Sequence, residues 1–136
     1  MQIGIDLGAT KIEYVLLDNN NSEILRQRKE TPKNYKKLLE LISNIINNLS
    51  KKYNEKLNVG ICHPGSMDLK GKVFNTYNMK WIKDKKIKYD LTSIIPNKVI
   101  FENDANCFAF SEAIDGVAKD YNSVFGIILG SGTGGG

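Results

Sequence analysis

Three short segments carry residue types that could act on a phosphate or a hydroxyl group. The first is Asp6-Leu7-Gly8-Ala9-Thr10-Lys11. Asp6 falls at the end of an alternating apolar run, Gly8 lets the backbone turn tightly, and Thr10 and Lys11 bring a hydroxyl, amides and a cation to one place. Such a turn can hold a metal-bound polyphosphate, its amides facing the oxygens and the carboxylate orienting Mg²⁺ through water. An ordinary tight hairpin with Asp as a turn residue satisfies the same pattern. The second segment is Glu102-Asn103-Asp104-Ala105-Asn106-Cys107. Asn103 suits a helix N-cap, which puts Asp104 in the first turn, where the macrodipole favours an ionised carboxylate. An ionised Asp at the mouth of a sheet can take a proton from a substrate hydroxyl. Plain capping also accounts for the residues.

The third segment is Gly130-Ser131-Gly132-Thr133-Gly134-Gly135-Gly136. Its glycines allow the backbone close to a phosphate, and Ser131 and Thr133 add hydroxyls. It is no P-loop, because no Gly-Lys-Ser/Thr follows. Gly130, Gly132 and Gly135 match G-x-G-x-x-G, but the helix and acidic residue of a dinucleotide site do not follow. A flexible tail is the plain alternative. The lone histidine, His63, sits beside Pro64-Gly65 and reads as a loop residue that lines a pocket or the surface. Cys62 and Cys107 read as small core residues, and Trp81 as packing on a sheet edge.

The elements that must position these segments follow from periodicity. Ile3, Ile5 and Leu7 alternate with Gly4, Asp6 and Gly8, so residues 2–8 form a half-buried strand. Residues 11–17 and 23–29 make two more, separated by the turn signal Asp18-Asn19-Asn20-Asn21. Thr31 and Pro32 predict a helix start, and Leu38, Leu41, Ile42, Ile45, Ile46, Leu49 and Tyr53 keep helical spacing after it. Leu57–Cys62 and Val99–Glu102 are short strands, and residues 66–97 are irregular. A helix runs from about Asp104 to Asp115, ended by Gly116. The apolar run Ser123–Leu129 predicts a strand in a sheet interior. The order β-β-β-α-β followed by β-α-β predicts an α/β domain with a mixed sheet.

Composition narrows the classes. The chain has 136 residues, a net charge of +4 and 41% hydrophobic residues, which fits one folded domain. No apolar run approaches the roughly 18 residues of a membrane span, and no secretory signal is read, so a cytoplasmic protein without a membrane partner is expected. Two cysteines cannot frame a disulfide scaffold or supply four zinc ligands. The basic stretch Lys80–Lys88 lacks a recognition helix or spaced aromatics, so it reads as a solvated surface and no nucleic-acid partner is expected.

In order and separation the segments resemble the N-terminal half of the ROK family of bacterial sugar kinases. Ile3–Lys11 is similar to the family's first phosphate motif, Val59–Gly65 to its Gly-x-x-x-Pro-Gly loop, and Asn78-Met79-Lys80-Trp81 to its Asn-Leu-x-Trp segment. Asn103–Ala109 with Ser111-Glu112-Ala113 is the most specific match, and Ile128–Gly136 is similar to the second phosphate motif. The resemblance implies an actin-like (ribonuclease H-like) ATPase lobe and ATP-dependent phosphorylation of a hexose or N-acetylhexosamine. It implies Asp104 as catalytic base, with Asn78, Asn103 and Asp104 on the sugar and Gly65 lining the same pocket. Asp6 would organise Mg²⁺, with Gly8, Thr10, Lys11, Gly130, Gly132, Thr133 and Gly134 around the ATP phosphates. Ala9 replaces a common glycine, and Cys62-His63 a more typical small or apolar pair.

Family members continue for roughly as many residues again, adding a second lobe with a zinc motif, further sugar ligands and the adenine site. The expectation is therefore a chain of one N-terminal lobe, residues 1–136, incomplete alone, whose partners are a sugar and ATP and whose family allows a homodimer. The alternative is the sugar-sensing module of a ROK-type repressor. Those carry an N-terminal helix-turn-helix, for which a phosphate motif starting at Ile3 leaves no room.

Overall fold

The alternating segments at the start of the chain fold into an antiparallel meander, β1 (Gln2–Leu7), β2 (Lys11–Leu17) and β3 (Glu23–Glu30). The computed structural model describes residues 1–129 and 133–136. Helix α1 (Tyr35–Tyr53) follows, and β4 (Asn58–His63) and β7 (Val99–Asn103) then extend the sheet in parallel with β1. Between those two strands lie a small hairpin, β5 (Ser66–Met67) with β6 (Val73–Phe74), and the short helix α2 (Ile87–Thr92). The result is a mixed five-stranded sheet in the order β3-β2-β1-β4-β7.

One face of this sheet carries the core. Ile3, Ile5 and Leu7 of β1, Ile12, Tyr14 and Leu16 of β2, and Val59 and Ile61 of β4 are all buried. Against them α1 sets Leu38, Ile42 and Ile46, each fully buried and each contributing about 1.5–3 kcal/mol by leaving water. The parallel strands β1, β4 and β7 end at Leu7, His63 and Asn103, with His63 opposite Asn103 in register, so the loops that follow them emerge along one rim. Carboxyl ends of parallel strands are where such sheets receive ligands.

Four expectations change. Thr31 does not cap α1. Asn34 does, its side chain accepting from the Lys37 amide at 3.1 Å, because Thr31 is engaged elsewhere: its amide donates to Thr10 O (3.0 Å) and its hydroxyl to Gly8 O (2.8 Å). Residues 66–97 are more than irregular, since Met79, Ile82, Ile87 and Leu91 from that stretch are fully buried in the core. His63 is no surface residue. It closes the inward series Val59, Ile61, His63 at 1% exposure, its ring 6.2 Å from that of Phe101.

The fourth concerns the last strand. Residues 123–129 do not enter the sheet interior: β8 (Ile127–Leu129) pairs antiparallel with β9 (Thr133–Gly135) in a separate two-stranded sheet, leaving Phe125 73% and Leu129 79% exposed. The ladder ends at β7, and α3 (Asp104–Ile114) lies between it and β8 in the chain. That helix buries Ala105 and Ala109, while Phe108 is left 40% exposed. Trp81 packs half-buried against the core, its indole N–H without a partner among the described residues.

Candidate active site

The site is organised by the junction of β7 and α3. Asn103 caps the helix, its Oδ1 accepting from the amides of Ala105 (2.9 Å) and Asn106 (3.2 Å). Its Nδ2 donates to Gly65 O at 2.8 Å and so ties the loop after β4 to the start of α3. Among the described residues that leaves one Nδ2 proton without a partner. Asp104 follows in the first turn, half-buried, with Oδ1 accepting from the Ala105 amide at 2.9 Å. Gly65 holds φ +85°, and a Cβ there would stand 2.6 Å from both Phe74 O and Thr76 Cγ2, so only glycine lets the chain pass.

These residues share a cavity of about 620 Å³, within the range of small-molecule sites. Gly65, Asn78, Asn103, Asp104, Thr133 and Gly134 all line it. Six of the residues singled out in the sequence therefore meet on one hollow. Gly8, Thr10 and Lys11 do not line it, and Gly130 and Gly132 lie outside the described residues.

Asp6 lies on the other face of the sheet, on a neighbouring cleft of about 480 Å³ with Glu13, Cys62, Glu102 and Cys107. Burial raises its carboxyl above the usual range. The Cys62 thiol, donating at 3.6 Å to Oδ1, pulls the other way, and the charges of Asp104 and Glu13 raise it further. The Asp104 charge thus reaches Asp6, and a cation beside Asp6 would relieve it. Among the described residues no cluster of three or more His, Cys, Asp or Glu side chains could hold a metal ion by itself. A single carboxylate with room for water and phosphate oxygens is how Mg²⁺ is commonly held.

Two residues already named in the sequence take supporting roles at the site. Glu102 accepts from the Asn103 amide (2.8 Å) and from Asn106 Nδ2 (2.9 Å), bonds that lower its carboxyl below the ordinary value and brace the cap from outside. Its position one residue before Asn103-Asp104 was the available signal. Buried His63, whose Nδ1 lies 3.1 Å from Pro64 O, supports the loop after β4 from below; the alternation Val59, Ile61, His63 was its signal.

The two thiols line the same cleft. Burial first, then the Asp6 charge, pushes the Cys62 thiol far above its ordinary value, and burial also raises Cys107. Above pH ~8.5 an unfolded cysteine ionises while the folded one keeps its proton, so the unfolded state binds fewer protons and stability falls with pH. The unfolding free energy measured by urea denaturation is expected to drop between pH 8 and pH 10, by at most about 1.4 kcal/mol per pH unit for each thiol. Cys62→Ser should flatten that slope; a slope unchanged in the variant would place its origin elsewhere.

The model of the ROK family matches residues 2–136. The chain belongs to the ROK family. An N-acetyl-D-glucosamine kinase of Vibrio parahaemolyticus is 37% identical over 137 residues, covering 100% of this chain and 45% of the relative. An N-acetylgalactosamine kinase of Shewanella is 34% identical, with 100% and 44% covered. Among solved structures, the ROK glucokinase of Streptomyces griseus in complex with glucose and AMPPNP superposes with a TM-score of 0.83 at 28% identity, covering 98% of this chain and 43% of that one. This ROK chain therefore spans less than half the length of those relatives. A ROK family transcriptional regulator shares the fold at a TM-score of 0.83 and 17% identity, so the fold by itself does not separate kinases from regulators.

Proposed function

We propose that this chain is the N-terminal lobe, actin-like in architecture, of an ATP-dependent sugar kinase acting on a hydroxyl of a hexose or N-acetylhexosamine. The observation that carries the reading is the hollow that Gly65, Asn78, Asn103 and Asp104 share with Thr133 and Gly134. It brings a carboxylate and neutral hydrogen-bonding groups, suited to a sugar, together with a glycine-rich strand suited to phosphate. Kinship with kinases named for N-acetyl-D-glucosamine and N-acetylgalactosamine favours an N-acetylhexosamine.

In this reading Asn78 and the second Nδ2 proton of Asn103 orient the sugar, and Asp104 accepts the hydroxyl proton as that oxygen attacks the γ-phosphorus and ADP departs. Positioning and charge neutralisation supply most of the acceleration in phosphoryl transfer. The Gly8–Lys11 turn and the Gly130–Gly136 segment hold phosphate oxygens with amides, the Thr10 hydroxyl and the Lys11 ammonium. Asp6 would hold Mg²⁺ through water, and the ion would neutralise phosphate charge. The adenine site and further sugar contacts belong to a second lobe, and the cytoplasm is the compartment that offers ATP. No helix among the described residues is long and apolar enough to cross a membrane.

The test is an ADP-release assay over a panel of N-acetylglucosamine, N-acetylgalactosamine, N-acetylmannosamine, glucose and fructose. The chain is run alone and joined to a second lobe taken from a ROK kinase. Turnover is expected only in the joined form and fastest with an N-acetylhexosamine. No turnover with any sugar, in a joined protein that binds ATP, would overturn the kinase reading.

A further inference from the structure

We infer that Thr31 is a positioning residue for the Gly8–Lys11 turn, holding its peptide planes so that amides face outward toward phosphate. The inference rests on reading that turn as phosphate-binding and adds a residue distant from it in sequence.

The turn joins β1 to β2, and the Gly8 amide closes it by donating to Lys11 O at 3.1 Å. In an ordinary two-residue turn the fourth residue's amide would donate back to the first carbonyl. Here Gly8 O instead receives the Thr31 hydroxyl at 2.8 Å, and Thr10 O receives the Thr31 amide at 3.0 Å. Thr31 is 3% exposed, so neither bond is shared with bulk water. It stands there because β3 pairs with β2 as far as Glu30 opposite Lys11, and the next residue continues that ladder by one bond. Pro32, which has no N–H to donate, then ends the ladder.

A trans peptide points its C=O and its N–H in opposite directions, and the described backbone contains no cis peptide bond. Drawing Gly8 O inward therefore turns the Ala9 N–H outward. Drawing Thr10 O inward does the same for the Lys11 N–H. Two amides are thereby preset beside the Thr10 hydroxyl and the Lys11 ammonium, the arrangement of a backbone anion nest. A close approach keeps the turn tight: a Cβ on Gly8 would lie 2.7 Å from Lys11 O. The hydroxyl of Thr31 does what the turn's own amide would otherwise do, and releases that amide for a ligand.

The experiment is an amide NMR titration of the 136-residue chain with inorganic tripolyphosphate and, separately, Mg·ATP. It compares the parent with Thr31→Val, which keeps the shape and loses the hydroxyl, and Thr31→Ser, which restores it. The Ala9 and Lys11 amides are expected to shift saturably in the parent. Thr31→Val should weaken that binding about five- to fiftyfold, because Gly8 O then takes back the Lys11 amide and binding must break that bond, and Thr31→Ser should return it to within about twofold of the parent. Resonances of α3 should stay in place in all three. Unchanged affinity in Thr31→Val would overturn the inference. Equal loss in Val and Ser, or disturbance reaching α3, would make Thr31 a folding residue and overturn it as well. If the parent shows no shift at Ala9 through Lys11 with either ligand, the phosphate reading of the turn falls and the inference with it.

Discussion

Asp104→Asn is expected to lower kcat about 10²–10⁴-fold, the usual worth of a general base, once a second lobe completes the enzyme. Sugar affinity and thermal midpoint should stay close to those of the parent. The separation follows from local geometry. Asp104 Oδ1 accepts from the Ala105 amide, and an asparagine Oδ1 accepts the same bond, so the helix start is kept while the proton acceptor is lost. A uniform loss of sugar binding would show that Asp104 holds the substrate and takes no proton. A retained rate would remove it as the base. The decisive readout is a single-turnover measurement at saturating sugar, where binding no longer contributes.

The second large effect concerns a residue without a side chain. Gly65→Ala should destabilise the chain by about 2–5 kcal/mol, combining the left-handed conformation imposed on a non-glycine with a collision against packed atoms. The collision is with Phe74 O, a backbone atom that cannot swing aside, and with Thr76 Cγ2, whose residue is buried. Because Gly65 O receives the Asn103 Nδ2 proton, displacement of the loop also loosens the cap on which Asp104 sits. Urea denaturation gives the stability change, and sugar titration at low temperature, where the variant remains folded, gives the second effect as weakened binding. An unchanged midpoint would mean that the loop yields freely and does not brace the site.

Much of this arrangement is legible in the residues themselves, and the failures have physical causes. The alternation of Ile3, Ile5 and Leu7 announces β1 because a half-buried strand needs that period. Asn103 announces the cap of α3 because its side chain can bond the free amides of a helix start. Thr31 misleads for the same reason: threonine before proline is a sound cap signal, but two carbonyls of a turn more than twenty residues earlier in the chain claim its hydrogen bonds. Tertiary partners of that kind leave no local trace. His63 misleads because Pro64-Gly65 signals a loop, although the strand's inward series runs one residue further. The run through Val124, Phe125, Ile127 and Leu129 is apolar enough to predict cover, but apolarity names no neighbour. In the structure its strand pairs with the glycine-rich hairpin arm and stays away from the main sheet. Met79, Ile82 and Ile87 reach the core from turns and a short helix, where no period exists to be read.

The parallel course of β1, β4 and β7 bears on how such a protein can change its substrate over generations. Each strand delivers its own loop to the common rim: the turn after β1, the Pro64–Asn78 stretch after β4, the helix start after β7. The strands are held by inward side chains buried in the core, such as Ile3, Leu7 and Val59. On the proposed reading, substitutions in the middle loop would alter which sugar is accepted while the phosphate turn and the base keep their places. A lineage can explore new substrates one loop at a time, without rebuilding the sheet that carries all three.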